Sequence, residues 1–249
     1  MYVVSTSDDG PGRAVAIQGT VPEFRELPEA LSILDRHGAT RRRGVLVDVG
    51  ANIGTTALPA VLRHGFERVL AIEPEPENVR VLAASAALNG VGDRVEIVAA
   101  AASDQRGEAM FHRGRETKNG WRAGAGSLLG QGDADGRAVP LTTVDSELED
   151  RGLAPSGVGL LWIDVQGHEG HVLQGAASLV ERSTPVVFAV RPKKLAKAGR
   201  LDALIELVQA HYAHVVDLRE QGAETLPSSS LAELVARTGT TDVLAFSAP

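Results

Sequence analysis

The stretch Val47-Asp48-Val49-Gly50-Ala51-Asn52-Ile53-Gly54 decides how the whole 249-residue chain is read. A β-branched, apolar run over 45–49 closes on Gly50, and helical spacing begins at residue 55. A strand, a glycine loop and a helix in that order set backbone N–H groups at the carboxyl end of a strand, where open α/β sheets bind nucleotides. Glu73 ends the next apolar run, nineteen positions past Gly54, where an acid can accept both hydroxyls of a ribose.

Working outward, apolar runs recur at 69–73, 94–101, 158–165 and 185–190. None alternates with polar residues, as expected of strands buried on both faces. Helical patterns over 55–64, 77–88, 169–182 and 201–211 separate or follow them. The alternation predicts an α/β fold, a doubly wound and mostly parallel sheet. Strands at 214–218 and 242–246 around a helix at 229–237 suit an antiparallel hairpin that finishes the sheet. Residues 1–40 read as a short N-terminal extension on a 41–249 domain: a small hairpin (14–17 and 21–24, around Gly19), then a helix over 28–36. Residues 112–137 carry glycines, charges and Trp121 with little periodicity, which predicts a substrate-facing loop.

Composition excludes several classes of protein. Hydrophobic residues make up 43% and charged residues 23%, ordinary globular usage. There is no cysteine, hence no disulfide scaffold, thiolate metal site or cysteine nucleophile. The opening MYVVSTSDDG lacks a signal pattern, and no apolar run approaches the ~18 residues of a membrane span, so a cytoplasmic protein without membrane contact is expected. With 32 acidic against 25 basic residues the net charge is −7, which argues against nucleic acid as a partner. Arg41, Arg42 and Arg43 form the one tight basic run and read as a solvated edge.

The loop itself narrows the ligand. A dinucleotide site needs Gly-x-Gly-x-x-Gly, and no Gly-Lys-Ser/Thr follows for a phosphate loop. Asp48, just before the turn, would repel a diphosphate. It would attract the sulfonium and ammonium of S-adenosylmethionine, which carries no phosphate. The alternative is an Asp that merely bonds loop amides.

DVGANIG at 48–54, IEPEPEN at 72–78, VPLTTVDSEL at 139–148 and WIDVQGHEGHVLQGA at 162–176 together resemble the FkbM-type methyltransferases. The resemblance spans about residues 44–192. It implies a class I methyltransferase (Rossmann-like) fold with a seven-stranded sheet and an antiparallel last strand. It also implies S-adenosyl-L-methionine as cofactor and methylation of a hydroxyl on a small molecule or sugar in secondary metabolism. Carried onto this sequence, Asp48, Gly50, Asn52 and Gly54 form the cofactor loop, Glu73 clamps the ribose, and Ser103 and Asp104 lie beside the adenine. Asp104 could instead simply open a turn. The family's fifth strand usually ends in Glu, where this chain has Ala189. Thr142, Thr143 and Asp145 fit a helix start, with Asp145 as its cap.

Methyl transfer to an alcohol needs positioning and a proton acceptor. Asp164 ends the fourth strand and His168 follows in the turn, which makes His168 the expected base. Asp164 would orient that ring or the substrate, besides facing the cofactor. A divalent metal held by Asp164, His168 and His171 is possible but not favoured, because His168 and His171 lack a recognised ligand spacing. His171 alone reads as solvated. The expected function is O-methylation of a small hydroxylated substrate. The rivals are N-methylation of a small amine and a non-catalytic module that binds an adenosine-type ligand.

Overall fold

The computed structural model describes residues 1–4, 15, 19, 23–40, 42–112, 128, 136–197 and 200–248. Its centre is β1 (Val45–Val49), every residue of which is buried. Val45, Val47 and Val49 point into one core while Leu46 points into a second, as the two-residue repeat of a strand requires. β1 pairs in parallel with β2 (Arg68–Ile72) on one side and β7 (Val158–Ile163) on the other. β3 (Val95–Val98) adds to β2, and β8 (Val186–Val190) adds to β7, again in parallel.

β11 (Thr241–Phe246) lies antiparallel between β8 and β9 (His214–Asp217), with the two-residue β10 (Leu226–Pro227) at the edge. The sheet therefore runs β3-β2-β1-β7-β8-β11-β9-β10. This is the mostly parallel sheet with a late antiparallel strand that the resemblance implied, with one short edge strand beyond the expected seven. The two late strands do pair antiparallel, but β11 inserts inside the sheet and β9 takes the outer place.

Helices cover both faces. α1 (Glu23–Arg36), α2 (Ala57–Arg63) and α3 (Pro76–Leu88) pack on the core that contains Leu46. α4 (Val144–Asp150), α5 (Glu169–Gln174), α6 (Ala177–Val180), α7 (Pro192–Lys197), α8 (Leu201–His211) and α9 (Leu231–Thr238) pack on the other. Among the described residues, no helix is long and apolar enough to cross a membrane.

Five expectations change. The helix expected from Pro28 begins at Glu23 and carries Pro28 inside, because Leu27, at 0% exposure, already docks on the sheet. The hairpin expected before it falls mostly outside the described residues, and its last two residues, Glu23 and Phe24, are helical. The single strand expected over 94–101 divides into β3 and β4 (Ala101–Ala102). A turn closed by the Ala100 N–H on the Val98 carbonyl sends β4 to a second sheet of order β4-β6-β5, with β5 at Gly107–His112 and β6 at Gly136–Thr142. Most of the loop expected over 112–137, Trp121 included, lies outside the described residues.

The helix expected over 169–182 breaks between α5 and α6. The Gly175 backbone is pressed so close to the Ser103 carbonyl oxygen that a Cβ would collide with it. Thr143, not Asp145, caps α4, in a reciprocal pair with Ser146. Asp145 accepts from Ser178 N and Oγ and so holds the start of α6.

Candidate functional site

Strand order reverses between β1 and β7, and a crevice opens at their carboxyl ends, the switch point of a doubly wound sheet. The two strand ends meet closely. Asp164 N donates to the Val49 carbonyl at 2.9 Å, and a Cβ on Gly50 (φ 82°) would collide with the Asp164 carbonyl oxygen. Only glycine satisfies both the left-handed turn and that approach. Gly54 serves packing instead, since a Cβ there would strike Leu82 of α3.

Glu73, just past β2, is 4% exposed and ties the loop to the next helix. Oε2 accepts from Asn52 N at 2.9 Å, and Oε1 accepts from Glu75 N at 2.9 Å and Asn78 Nδ2 at 3.2 Å. Three donors leave one lone pair, on Oε2, for a further hydroxyl. Burial raises the Glu73 pKa, and the three hydrogen bonds oppose that rise. Asn52 sits at φ 50°, which turns its N–H back onto the carboxylate.

The other wall is built from ion pairs. Asp164 Oδ1 accepts from Arg191 Nη1 at 2.7 Å and Gln166 Nε2 at 3.1 Å. Arg191 also stands 4.0 Å from Glu169 Oε1, which accepts from Gly167 N at 3.0 Å. Glu169 is fully buried, and burial pushes its carboxyl up to about 7. Ala189 lies in register with Asp242 of β11, whose carboxylate pairs with Arg219. A buried acid thus stands on the strand beside the position where the family resemblance expected Glu.

His168 is 9% exposed and occupies the N-cap position of α5 without a side-chain capping bond. Its Nε2 lies 3.0 Å from Ser103 Oγ, which donates to Asp104 Oδ1 at 3.0 Å. His171 is half-buried, not solvated as expected, and stacks on the His168 ring at 4.0 Å and 7°. Burial, followed by His171, lowers the His168 pKa to about 4, so its imidazole is neutral at physiological pH. An unperturbed imidazole ionises at ~6–7, well above this.

These elements surround a cavity of about 930 Å³, solvent included, lined by Asp48, Gly50, Asn52, Glu73, Asp164 and His168. Gln166, Asn78, Phe111 and Trp162 also line it. Gly54, Ser103 and Asp104 are not among its lining residues. Sequence reasoning missed Gln166 and Arg191. Arg191 was findable as the first residue past the fifth strand, on the edge where side chains of parallel strands converge. Among the described residues, no group of three His, Asp or Glu side chains is arranged around a common metal position.

The model of the methyltransferase FkbM domain matches residues 48–224. The 31-O-demethyl-FK506 methyltransferase FkbM of Streptomyces tacrolimicus is 30% identical over 207 residues, 73% of this chain and 77% of that protein. The AMB antimetabolite synthetase AmbE of Pseudomonas aeruginosa is 31% identical over 199 residues, 67% of this chain but only 9% of that much longer protein. The crystal structure of a methyltransferase FkbM from Methylobacillus flagellatus aligns over 94% of this chain and 59% of its own, at 14% identity and a TM-score of 0.48.

Proposed function

Because the chain belongs to the FkbM methyltransferase family, an S-adenosylmethionine-dependent family, we propose that it methylates a hydroxyl of a small secondary metabolite, with His168 as the base. One observation carries the cofactor side. Three carboxylates, on Asp48, Glu73 and Asp164, line the cavity, and no lysine or arginine is among its described lining residues. That set of anionic acceptors suits a ligand with a sulfonium, an ammonium and a ribose, and disfavours one with phosphates.

S-adenosylmethionine, when bound, supplies a methyl carbon already activated by positive sulfur. Asp48 and Asp164 would provide the anionic wall for its charged groups, and the remaining Glu73 lone pair would take a ribose hydroxyl. Gln166, which lines the cavity and holds Asp164, helps orient the acceptor. His168 would receive the hydroxyl proton as the C–O bond forms and the methyl–sulfur bond breaks, its electron pair leaving with the neutral thioether S-adenosylhomocysteine, and would then pass that proton to solvent. A neutral imidazole is ready for that task without first losing a proton, although its lowered pKa makes it a mild base.

The Streptomyces relative supports a hydroxyl acceptor, since its name, a 31-O-demethyl-FK506 methyltransferase, places the methyl on an oxygen. We place the enzyme in the cytoplasm, acting on a small molecule and not on nucleic acid. The test is incubation with methyl-labelled S-adenosylmethionine and a pool of hydroxylated metabolites, with mass identification of the product. A methyl ether is expected. An N-methylated amine would overturn the acceptor. Cofactor binding with no turnover, and none lost on changing Asp164 or His168, would identify a binding module.

A further inference from the structure

The geometry points to Ser103 and Asp104 as positioning residues that hold His168 in its Nε2–H tautomer, a role that rests on the reading of His168 as the base. Ser103 Oγ has one proton and two neighbours, Asp104 Oδ1 and His168 Nε2, each at 3.0 Å. A carboxylate can only accept, and a hydroxyl bonds a charged acceptor more strongly than a neutral ring nitrogen. The proton therefore goes to Asp104. The oxygen is left to accept, so Nε2 carries the imidazole hydrogen and Nδ1 keeps its lone pair.

Nothing competes for that lone pair. Nδ1 of His168 is buried and has no hydrogen-bond partner among the described residues, and His168 is one of the residues that line the cavity. The relay is also held firmly. Ser103 is 4% exposed, its N–H donates to the Thr142 carbonyl at 2.8 Å, and its own carbonyl abuts Gly175. His171 fixes the ring plane from one side, and Arg200 and Asp104 supply opposing charges nearby. Ser103 and Asp104, which the family resemblance set beside the adenine, thus also bear on the base.

The experiment is ¹⁵N–¹H correlation NMR of the histidine-labelled full chain at neutral pH, with His168 identified by its loss in His168→Gln. An Nε2–H pattern is expected, and an Nδ1–H pattern would overturn the proposal. Asp104 is exposed, so Asp104→Ala keeps the fold. There the freed Ser103 proton should move to Nε2 and shift His168 toward Nδ1–H, and an unchanged pattern would count against the relay. In turnover, Ser103→Ala should lower kcat about 3–10-fold with KM unchanged, and Ser103→Thr should restore it. An Nε2–H signature together with full turnover in His168→Gln would remove the base but leave the tautomer assignment standing, so the two readings fail separately.

Discussion

The two walls of the cavity are built on different principles. The β1–β2 wall is local, with Asn52 and Glu73 only 21 positions apart and Glu75 and Asn78 within the same turn as the carboxylate they bond. It works through backbone N–H groups and glycine geometry. The β7–β8 wall joins distant residues, Asp164 to Arg191 across 27 positions and Ser103 to His168 across 65. It works through side-chain charge and proton placement. The contrast separates holding the cofactor from activating the acceptor, and substitutions should expose that division.

The largest effect is expected at the acceptor wall. His168→Ala should lower turnover roughly 10²–10⁴-fold while S-adenosylhomocysteine affinity, measured by calorimetry, stays nearly constant. In the wild type, kcat/KM should stay flat from about pH 8 down to about pH 5, because the imidazole remains neutral until about pH 4. A drop centred on pH 6–7 would contradict the burial of the ring. Loss of activity under excess chelator, restored by magnesium, would transfer the activation to a metal.

Next comes the cofactor wall. Glu73→Ala removes a carboxylate that three donors surround, at about 1.5–3 kcal/mol per charge-assisted bond lost to the ligand. S-adenosylhomocysteine affinity should fall by at least tenfold, and its thermal stabilisation of the protein should shrink. If His168→Ala weakens the same ligand as much as Glu73→Ala does, the division between the walls is wrong.

Gly50→Ala tests the seam between them. The substitution must strain a left-handed backbone and push against the Asp164 carbonyl, so a loss of about 1–3 kcal/mol in urea unfolding is expected. Unchanged stability would mean the walls move apart at little cost.

The smallest effect concerns Glu169. Its folded pKa of about 7 lies above the ~4.3 of a free carboxylate, so the unfolded chain releases its proton first as pH rises. The stability it contributes is full below about pH 4 and is lost as pH climbs through 7. Glu169→Gln keeps an acceptor for Gly167 N and should flatten that decline by about 1–3 kcal/mol between pH 5 and 8. Melting temperatures across that range check it, and an unflattened curve would assign the decline to another group.

The same contrast explains what could be read in advance. Local arrangements leave motifs: the glycine loop, the acid past the second strand and the run from Trp162 to Ala176 are contiguous, and the main sheet follows from its apolar runs. β5 and β6 escaped because they bury little besides Phe111 and Val139, so no alternation marked them. The Arg191 partnership with Asp164, and the turning of Ser103 toward His168, depend on strands that meet only in the folded sheet. No spacing in one chain encodes which guanidinium reaches which carboxylate. The lowered pKa of His168 belongs to the same class, since it comes from burial and a stacked ring, not from residue type.

The six residues of α5 are gripped at both ends by a single amino acid. Ser103 touches His168, just before the helix, through its hydroxyl, and Gly175, just after it, through its carbonyl. One residue added or deleted between those contacts would turn one end by about 100° relative to the other. α5 therefore acts as a gauge block whose inherited quantity is length. An indel between 168 and 175 would dismantle the proton acceptor while leaving the glycine loop and the acid past the second strand in place.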